Sequence, residues 1–271
     1  MSERRPIGAV IAMHVELDHL LAQGTVESVE SRDSWKLWRC TIGDEPVVAI
    51  LSGIGMINAA AATEYLIASC NPRAVVNSGC TGAHLSELAQ GDVVIGTSTV
   101  YPAALQVLAS GEARHVGFSF DSVTGLIEAP ALPADPTLLS IARQVEKSID
   151  VPAWPDDLAW DAPEPRREAR IVEGPVASAD IWTQEVAGLD RLHRLHGSLC
   201  EDMEAASINQ IAARHGCPFL TIKDIINNER HAQTRLVQEA IGFEADFPIQ
   251  EAGRRAAIVL AEVIRLSGEL V

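Results

Sequence analysis

The stretch PVVAILSGIGMINAAAATEYLIASCNPRAVVN, residues 46–77, contains the alternation that decides the fold class. Its two ends, Pro46 to Leu51 and Ala74 to Asn77, are short and apolar and carry several β-branched residues, which is typical of buried strands. Between them, a glycine-containing loop at residues 52–56 opens an alanine-rich segment, about residues 57–69, that contains no helix breaker. Strand, glycine loop, helix and strand in this order predict an α/β fold with parallel strands.

The same alternation continues on both sides of this unit. We predict further strands at residues 7–13, 35–40, 92–97, 170–176 and 218–222, and further helices at about residues 136–148 and 249–267. Residues 100–170 differ, because they contain many of the prolines and lack an alternating core pattern. We interpret them as an elaborated insertion or lid within a single domain of residues 1–271.

Composition limits the class of protein. The chain has 271 residues and a formal net charge of −16, which argues against binding to a nucleic-acid backbone. It contains no run of 18 apolar residues, and the start MSERRPIGAV lacks the apolar stretch of a secretory signal, so we expect no membrane span and a cytoplasmic location. The five cysteines form no CxxC pair and the histidines show no metal spacing, so we predict neither a disulfide framework nor a metal site.

Four motifs occur in order and are spread over residues 8–205 of the chain. They are Gly8 to Glu16 (GAVIAMHVE), Ser52 to Gly55 (SGIG), Asn77 to Ala83 (NSGCTGA) and Asp202 to Ala205 (DMEA). These motifs resemble those of the methylthioadenosine/S-adenosylhomocysteine nucleosidases, within the wider purine nucleoside phosphorylase superfamily. The resemblance implies a single-domain α/β fold, with a central mixed, mostly parallel sheet flanked by helices, that is usually dimeric. It also implies hydrolysis of the bond between ribose and a purine base.

Cleavage of this bond makes three chemical demands. The positive charge that builds on the ribose must be stabilised, the departing purine needs a hydrogen bond or a proton, and a nucleophile must attack the anomeric carbon. The resemblance assigns Glu204 to the ribose hydroxyls and Glu16 to the activation of water as a general base. Met203 would pack against the sugar, and Trp182 would stack on the purine. The matched segments add Ile54, Cys80, Thr81, Gly82, Ser178 and Asp202 to the expected substrate-binding residues.

Asn227 departs from the family pattern. The family has Arg-Ala-Ile-Ser-Asp where this chain reads KDIIN at residues 223–227, and the family's aspartate protonates the purine. An amide cannot deliver a proton, but it can donate one hydrogen bond and accept another. That pairing suits a 6-oxopurine, so the futalosine hydrolases, relatives that release hypoxanthine, are one alternative. In the other alternative, Asp224 has taken over the acid role.

The nucleophile separates hydrolysis from phosphorolysis. A phosphate nucleophile needs cationic partners, preferably arginines, but the positions at which the phosphorylase branch has arginines hold Met13-His14 and Asn77 here. We therefore predict a homodimeric hydrolase that needs no cofactor and acts on a purine nucleoside modified at its 5′ position, with residues 100–170 contributing to 5′ specificity. A phosphorylase of the same fold and a non-catalytic nucleoside-binding protein are the alternatives.

Overall fold

The computed structural model describes residues 4–160, 162–231, 236–239, 242–245 and 248–269. Its strands are β1 (Ile7–Ile11), β2 (Thr25–Arg32), β3 (Trp35–Ile42), β4 (Glu45–Leu51), β5 (Ala74–Ala83), β6 (Val93–Val100), β7 (Leu105–Val107), β8 (Ala113–His115), β9 (Phe118–Ser122), β10 (Gly125–Ala129), β11 (Leu132–Pro133), β12 (Ile171–Ser178), β13 (Cys200–Asp202), β14 (Phe219–Asn227), β15 (Leu236–Glu239) and β16 (Gly242–Ala245). Its α-helices are α1 (His14–Leu21), α2 (Met56–Cys70), α3 (Pro136–Glu146), α4 (Val186–His196), α5 (Ala205–Arg214) and α6 (Arg254–Leu266).

Ten of the strands form one mixed sheet, which confirms the predicted fold class. Along the sheet the order is β11-β6-β12-β13-β5-β1-β4-β3-β2, and β14 pairs with both β5 and β6. Strands β5, β14, β6, β12 and β13 therefore close into a ring, while β1 to β4 extend from it as an open sheet. The pairs around β1 and the β5–β14 pair are parallel, whereas β13 runs antiparallel to β5 and β14 runs antiparallel to β6.

Helices cover both faces of this sheet. Side chains of α1, α3 and α6, such as Leu17, Leu138 and Leu260, belong to one buried cluster with residues of β1 and β5. Side chains of α2 and α5, such as Leu66 and Ile208, belong to a second cluster on another part of the sheet. Burying an apolar stripe of each helix against the sheet is the arrangement that stabilises an α/β layer fold. Among the described residues, no helix is long and apolar enough to cross a membrane.

Two predicted element boundaries were wrong. The strand that was predicted to end at Asn77 continues as β5 to Ala83, because β13 and β14 pair with it on its two sides. The last helix was expected to begin near residue 249, but α6 begins at Arg254 after a short 3-10 turn. Gly253 has a φ of +76° and separates the two. Strand β2 was not predicted, since it is a mostly exposed edge strand without an apolar alternation.

Residues 100–170 contain more regular structure than was expected. Helix α3 is confirmed, and the hairpins β7–β8 and β9–β10 and the short strand β11 were not predicted. Part of this stretch packs on α6, since the guanidinium of Arg255 donates to the carbonyls of Pro152 and Ala153 and lies 5.0 Å from the ring centroid of Trp154. Trp154 is buried in this contact.

Candidate active site

A cavity opens at the carboxyl ends of strands β1, β5 and β14. It has about 700 Å³ of empty volume. In an α/β fold, this end of the strands is where ligands bind. The cavity is lined by Ala12, Met13, Glu16, Ile54, Cys80, Thr81, Gly82, Ile181, Trp182, Glu201, Asp202, Met203, Glu204, Ile226 and Asn227. The lining thus includes all of the expected site residues except Ser178 and Asp224, and it includes no residue of the range 100–170.

Glu16 is held at one end of this cavity by backbone amides. Its Oε2 accepts a hydrogen bond from Met13 N at 3.1 Å, and its Oε1 accepts one from Cys80 N at 2.8 Å. Two glycines make room for it: a Cβ on Gly79 would lie 2.6 Å from Glu16 Oε1, and a Cβ on Gly253 would lie 2.8 Å from Glu16 Cγ. Burial raises the pKa of Glu16 above its ordinary value, although the charge of Lys223 and the two amides oppose the shift.

This raised pKa predicts a shifted acid limb in the pH profile. A general base works only when it is deprotonated, so kcat/KM should begin to fall on acidification while the pH is still above 4.5, the ordinary glutamate value. The measurement is kcat/KM of base release across the acidic range, with intrinsic fluorescence at each pH to confirm that the protein stays folded. A limb centred at or below 4.5 would show that Glu16 is not the titrating base.

Glu204 lies at the start of α5 and lines the same cavity as Glu16. It is 6 % exposed, and its Oε1 accepts a hydrogen bond from Gly55 N at 2.9 Å. Burial and the neighbouring carboxylate of Asp202 raise the pKa of Glu204, while Lys223 opposes the shift. The Glu16 carboxylate also contributes to raising the pKa of Glu204.

Lys223 is a buried cation beside the cavity acids that the sequence did not single out. Its Nζ lies 2.7 Å from Asp202 Oδ2, and the side chain is almost completely buried. Burial opposes its charge, yet the carboxylates of Asp202, Glu204 and Glu16 together raise its pKa. The charge of this buried cation in turn opposes the raised pKa of Glu16 and of Glu204. A lysine within the otherwise apolar stretch FLTIKDII was a signal that could have identified it.

Ser178 supports this cluster from outside the cavity. Its hydroxyl donates a hydrogen bond to Asp202 Oδ1 and accepts one from Ala206 N at 2.9 Å. Asp202 Oδ2 in turn accepts a hydrogen bond from Ala205 N at 3.0 Å, so Asp202 also caps the first turn of α5. The structure therefore places Ser178 behind Asp202 rather than against a substrate.

Trp182 and Asn227 form the opposite end of the cavity. Asn227 Nδ2 donates a hydrogen bond to Glu229 Oε1 at 2.8 Å, and Trp182 Nε1 donates to the same oxygen at 3.2 Å. This shared partner brings the indole ring and the amide side by side. Glu229 is 4 % exposed and had not been identified from the sequence.

Cys80 and Thr81 line the cavity between these two ends. Burial raises the pKa of the Cys80 thiol well above its ordinary value, so the thiol is not activated as a nucleophile. Thr81 Oγ1 donates a hydrogen bond to the carbonyl oxygen of Glu201 at 2.5 Å and so ties β5 to β13. No group of three or more His, Cys, Asp or Glu side chains within the described ranges could hold a metal ion.

Asp224 lies beneath the cavity and acts as a helix cap. Its Oδ1 accepts a hydrogen bond from Gly253 N and its Oδ2 accepts one from Arg255 N, both at 2.9 Å. Burial is the main cause that raises its pKa to about 7. The side chain is 1 % exposed and does not line the cavity, whereas Asn227 does.

We predict that Asp224→Asn keeps most of the activity. The amide still accepts one of the two backbone hydrogen bonds, so α6 should keep its place, and kcat should fall by no more than about tenfold. Steady-state kinetics together with circular dichroism would check this. A folded variant whose kcat fell by about 1,000-fold would instead mean that Asp224 protonates the base.

Comparisons with known proteins show which proteins this chain resembles. The sequence model of the family described as the Phosphorylase superfamily matches residues 6–265. A 5′-methylthioadenosine/S-adenosylhomocysteine nucleosidase of Oceanobacillus iheyensis is 30% identical over 231 residues, which cover 82% of each chain. The crystal structure of such a nucleosidase from Neisseria meningitidis, in complex with methylthio-immucillin-A, superposes with a TM-score of 0.70 at 22% identity and covers 96% of this chain and 99% of that one. The futalosine hydrolase of Helicobacter pylori superposes with a TM-score of 0.73 at 17% identity and covers 96% and 97%.

Proposed function

We propose that this chain, which belongs to the phosphorylase superfamily, is a purine nucleosidase that uses water to break the bond between ribose and base. The observation that carries the proposal is the pair of buried acids, Glu16 and Glu204, which line the same cavity. The named relatives are nucleosidases and a hydrolase, which supports the same reaction class.

In the proposed reaction, Glu16 activates the nucleophile. A water molecule beside its carboxylate attacks the anomeric carbon and passes a proton to Glu16 as the bond from that carbon to the purine nitrogen breaks. Glu204 accepts hydrogen bonds from the ribose hydroxyls, and its negative charge stabilises the positive charge on the ring. Glu16 is thus protonated at one end of the cavity. At the other end, the purine leaves with the electrons of the broken bond.

The departing purine lies against Trp182 and beside Asn227. A flat indole offers the base a large apolar surface, and the amide can donate a hydrogen bond to the purine as negative charge builds on it. Because Asn227 is fixed by Glu229, the donor is already oriented before the bond breaks. The purine leaves with this hydrogen bond and takes its proton from solvent.

We also propose that the substrate carries an apolar group at its 5′ position. Met13 and Ile54 line the cavity next to the groups that hold the sugar, since Met13 N donates to Glu16 and Gly55 N, the next residue after Ile54, donates to Glu204. An apolar substituent on the sugar would bury its surface against these side chains. The names of the relatives, which are nucleosidases for 5′-methylthioadenosine and S-adenosylhomocysteine, support this class of substrate.

Base release from a nucleoside panel tests the proposal. The panel contains methylthioadenosine, S-adenosylhomocysteine, futalosine, adenosine and inosine, and chromatography detects the free base. We expect release from at least one 5′-modified nucleoside, at a rate above that of the unmodified nucleoside with the same base. Failure to release base from any member of the panel would contradict the proposed function and would favour a binding protein of the same fold.

Two further proposals concern the state of the protein. We propose a homodimer, as the family resemblance implies, and this is supported by exposed apolar side chains of Leu105, Ile181 and Leu195 around a second cavity. Sedimentation velocity should give twice the chain mass of 29.1 kDa, and a monomer would contradict the proposal.

We also propose a cytoplasmic location without nucleic-acid partners, supported by five free cysteines and the net charge of −16.

A further inference from the structure

We propose that Arg255 is a positioning residue for the general base. Its side chain fastens residues 152–160 behind the cavity, and together they hold Glu16 in the place from which it activates water. This inference rests on the proposed function for the role of Glu16, but it gives a part in the reaction to a residue and a segment that do not line the cavity. Three contacts carry it: the packing of Gly253 on Glu16, the hydrogen bonds of Arg255, and the cluster around Trp154.

Gly253 packs directly on the side chain of Glu16. A Cβ at this position would lie 2.8 Å from Glu16 Cγ and 3.3 Å from the Cα atom of Gly79, so only the bare backbone of a glycine fits there. The φ of +76° at Gly253 is also one that glycine adopts readily. A shift of the chain at Gly253 would therefore change the space in which the Glu16 side chain is held.

The chain at Gly253 is tied to β14 through Asp224. Gly253 N donates to Asp224 Oδ1 and Arg255 N donates to Asp224 Oδ2, both at 2.9 Å. The two amides belong to the start of α6 and share one carboxylate. Because the backbone of Arg255 is bound together with that of Gly253, contacts that fix the Arg255 side chain also fix the glycine that packs on Glu16.

The guanidinium of Arg255 is bound through all three of its nitrogens. The side chain is fully buried, and Nη1 donates to Glu251 Oε2 at 2.9 Å. Nε and Nη2 donate to the carbonyl oxygens of Pro152 and Ala153 at 2.8 and 2.7 Å, and the group lies 5.0 Å from the ring centroid of Trp154. A rigid planar fork can reach three acceptors at once, whereas the single nitrogen of a lysine cannot. Apolar side chains often replace a buried ion pair without loss of stability, so stability alone is a weak reason for this arrangement.

Trp154 extends this contact to the residues that hold Glu16. It is buried in one cluster with Ile226, which lines the cavity. Met13 and Cys80 pack against the same cluster, and their backbone amides donate the hydrogen bonds to the Glu16 carboxylate. The wall that holds the general base is therefore backed by a residue that lies outside the cavity.

A small displacement of a general base has a large effect on the rate. A misplacement of about 1 Å can cost about 100-fold, even when the substitution is far from the reacting atoms. The proposed contacts of the substrate, Glu204 to the sugar and Trp182 to the base, belong to other elements, at the start of α5 and before α4. Loss of the Arg255 contacts should therefore lower kcat and leave KM nearly unchanged.

The test compares Arg255→Lys with Arg254→Lys. Arg254 is the next residue of α6, it is exposed, and its Nη1 donates to the other oxygen of the same glutamate, Glu251 Oε1, at 2.9 Å. Both substitutions keep the charge, but only the first removes a buried fork. On one cleaved 5′-modified nucleoside, we expect kcat of Arg255→Lys to be about 10- to 100-fold lower, with KM within about threefold of the wild-type value. Arg254→Lys should match the wild type in both parameters.

Hydrogen exchange gives a second readout that needs no turnover. The amides of Met13 and Cys80 are both bonded to the Glu16 carboxylate, so they should exchange faster when that carboxylate is held less firmly. Mass spectrometry would follow exchange at these two amides. We expect it to be about tenfold faster in Arg255→Lys and unchanged in Arg254→Lys.

The outcomes separate this inference from the proposed function. A wild-type kcat in Arg255→Lys, a loss that lies in KM alone, or unchanged exchange at Met13 and Cys80 would overturn the inference while the nucleosidase function stands. If the wild type cleaves no nucleoside, the proposed function fails, and exchange alone then decides whether Arg255 positions Glu16. If Arg255→Lys does not fold, Trp154→Phe replaces it, because the smaller ring leaves the cluster incompletely filled. This variant should show the same faster exchange and a kcat about threefold to tenfold lower, and wild-type values of both would overturn the inference.

Discussion

Glu16→Gln should lower kcat by about 1,000-fold while leaving substrate binding nearly unchanged, because an amide cannot accept the proton that the attacking water must lose. The glutamine has the size of the glutamate it replaces, and its oxygen can still accept the hydrogen bond from Cys80 N. The dissociation constant of a 5′-modified nucleoside, measured by equilibrium dialysis, should therefore stay within about threefold of the wild-type value, since the general base acts on water and not on the substrate's binding groups.

The matched control for this variant is Asp18→Asn. Asp18 is exposed on the same helix, α1, so its replacement removes one negative charge without touching the cavity. Its kcat should equal that of the wild type. Wild-type turnover in Glu16→Gln would remove Glu16 from the mechanism, and a parallel loss of turnover and binding would mean that Glu16 holds the substrate rather than activating water.

Glu204→Gln should reduce kcat/KM by about 100-fold or more, with contributions from both kcat and KM. Hydrogen bonds between a charged acceptor and the ribose hydroxyls contribute about 1.5–3 kcal/mol each, and the charge itself stabilises the cationic transition state. A glutamine keeps the acceptor for Gly55 N but carries no charge. Steady-state kinetics on one 5′-modified nucleoside would measure both parameters.

The stability of Glu204→Gln separates a catalytic role from a structural one. An acid whose pKa is raised by folding destabilises the native state once it is ionised, that is, as the pH rises above the ordinary glutamate value. Burial raises the pKa of Glu204, so the uncharged glutamine should keep or raise the melting temperature at neutral pH. A melting temperature that fell together with an unchanged kcat/KM would show that Glu204 only supports the fold.

That Glu16 and Glu204 meet at one cavity could be predicted from the sequence, because each acid lies in a motif of its own. Glu16 follows the first strand and Glu204 opens a helix, and strand ends of an α/β sheet converge on one edge. The burial that shifts their pKa values could not be predicted, since it depends on side chains from distant elements. Lys223, which lies 21 residues after Asp202 in the chain, is 2.7 Å from it in the fold.

The arrangement of residues around Asn227, at the other end of the cavity, could not be predicted, because it depends on how the strands pair. Strand β13 has only three residues, too short for an alternation, and its antiparallel pairing with β5 is what brings Glu201 next to Gly82. Glycine weakens a strand interior, but pairing with β13 and β14 keeps the glycine-containing end of β5 extended. Likewise, the contact of Glu229 with Asn227 requires the bend at the end of β14, where the register with β5 shifts.

The measurement that tests the central claim most directly is the dependence of base release on phosphate, with the sugar product identified by mass spectrometry. The protein is dialysed into phosphate-free buffer, a cleaved nucleoside of the panel is added, and the experiment is repeated with phosphate. We predict that the rate without phosphate equals the rate with it, and that the product is a sugar with a free anomeric hydroxyl in both cases. A rate that requires phosphate, with a sugar 1-phosphate as product, would contradict hydrolysis and make the protein a phosphorylase.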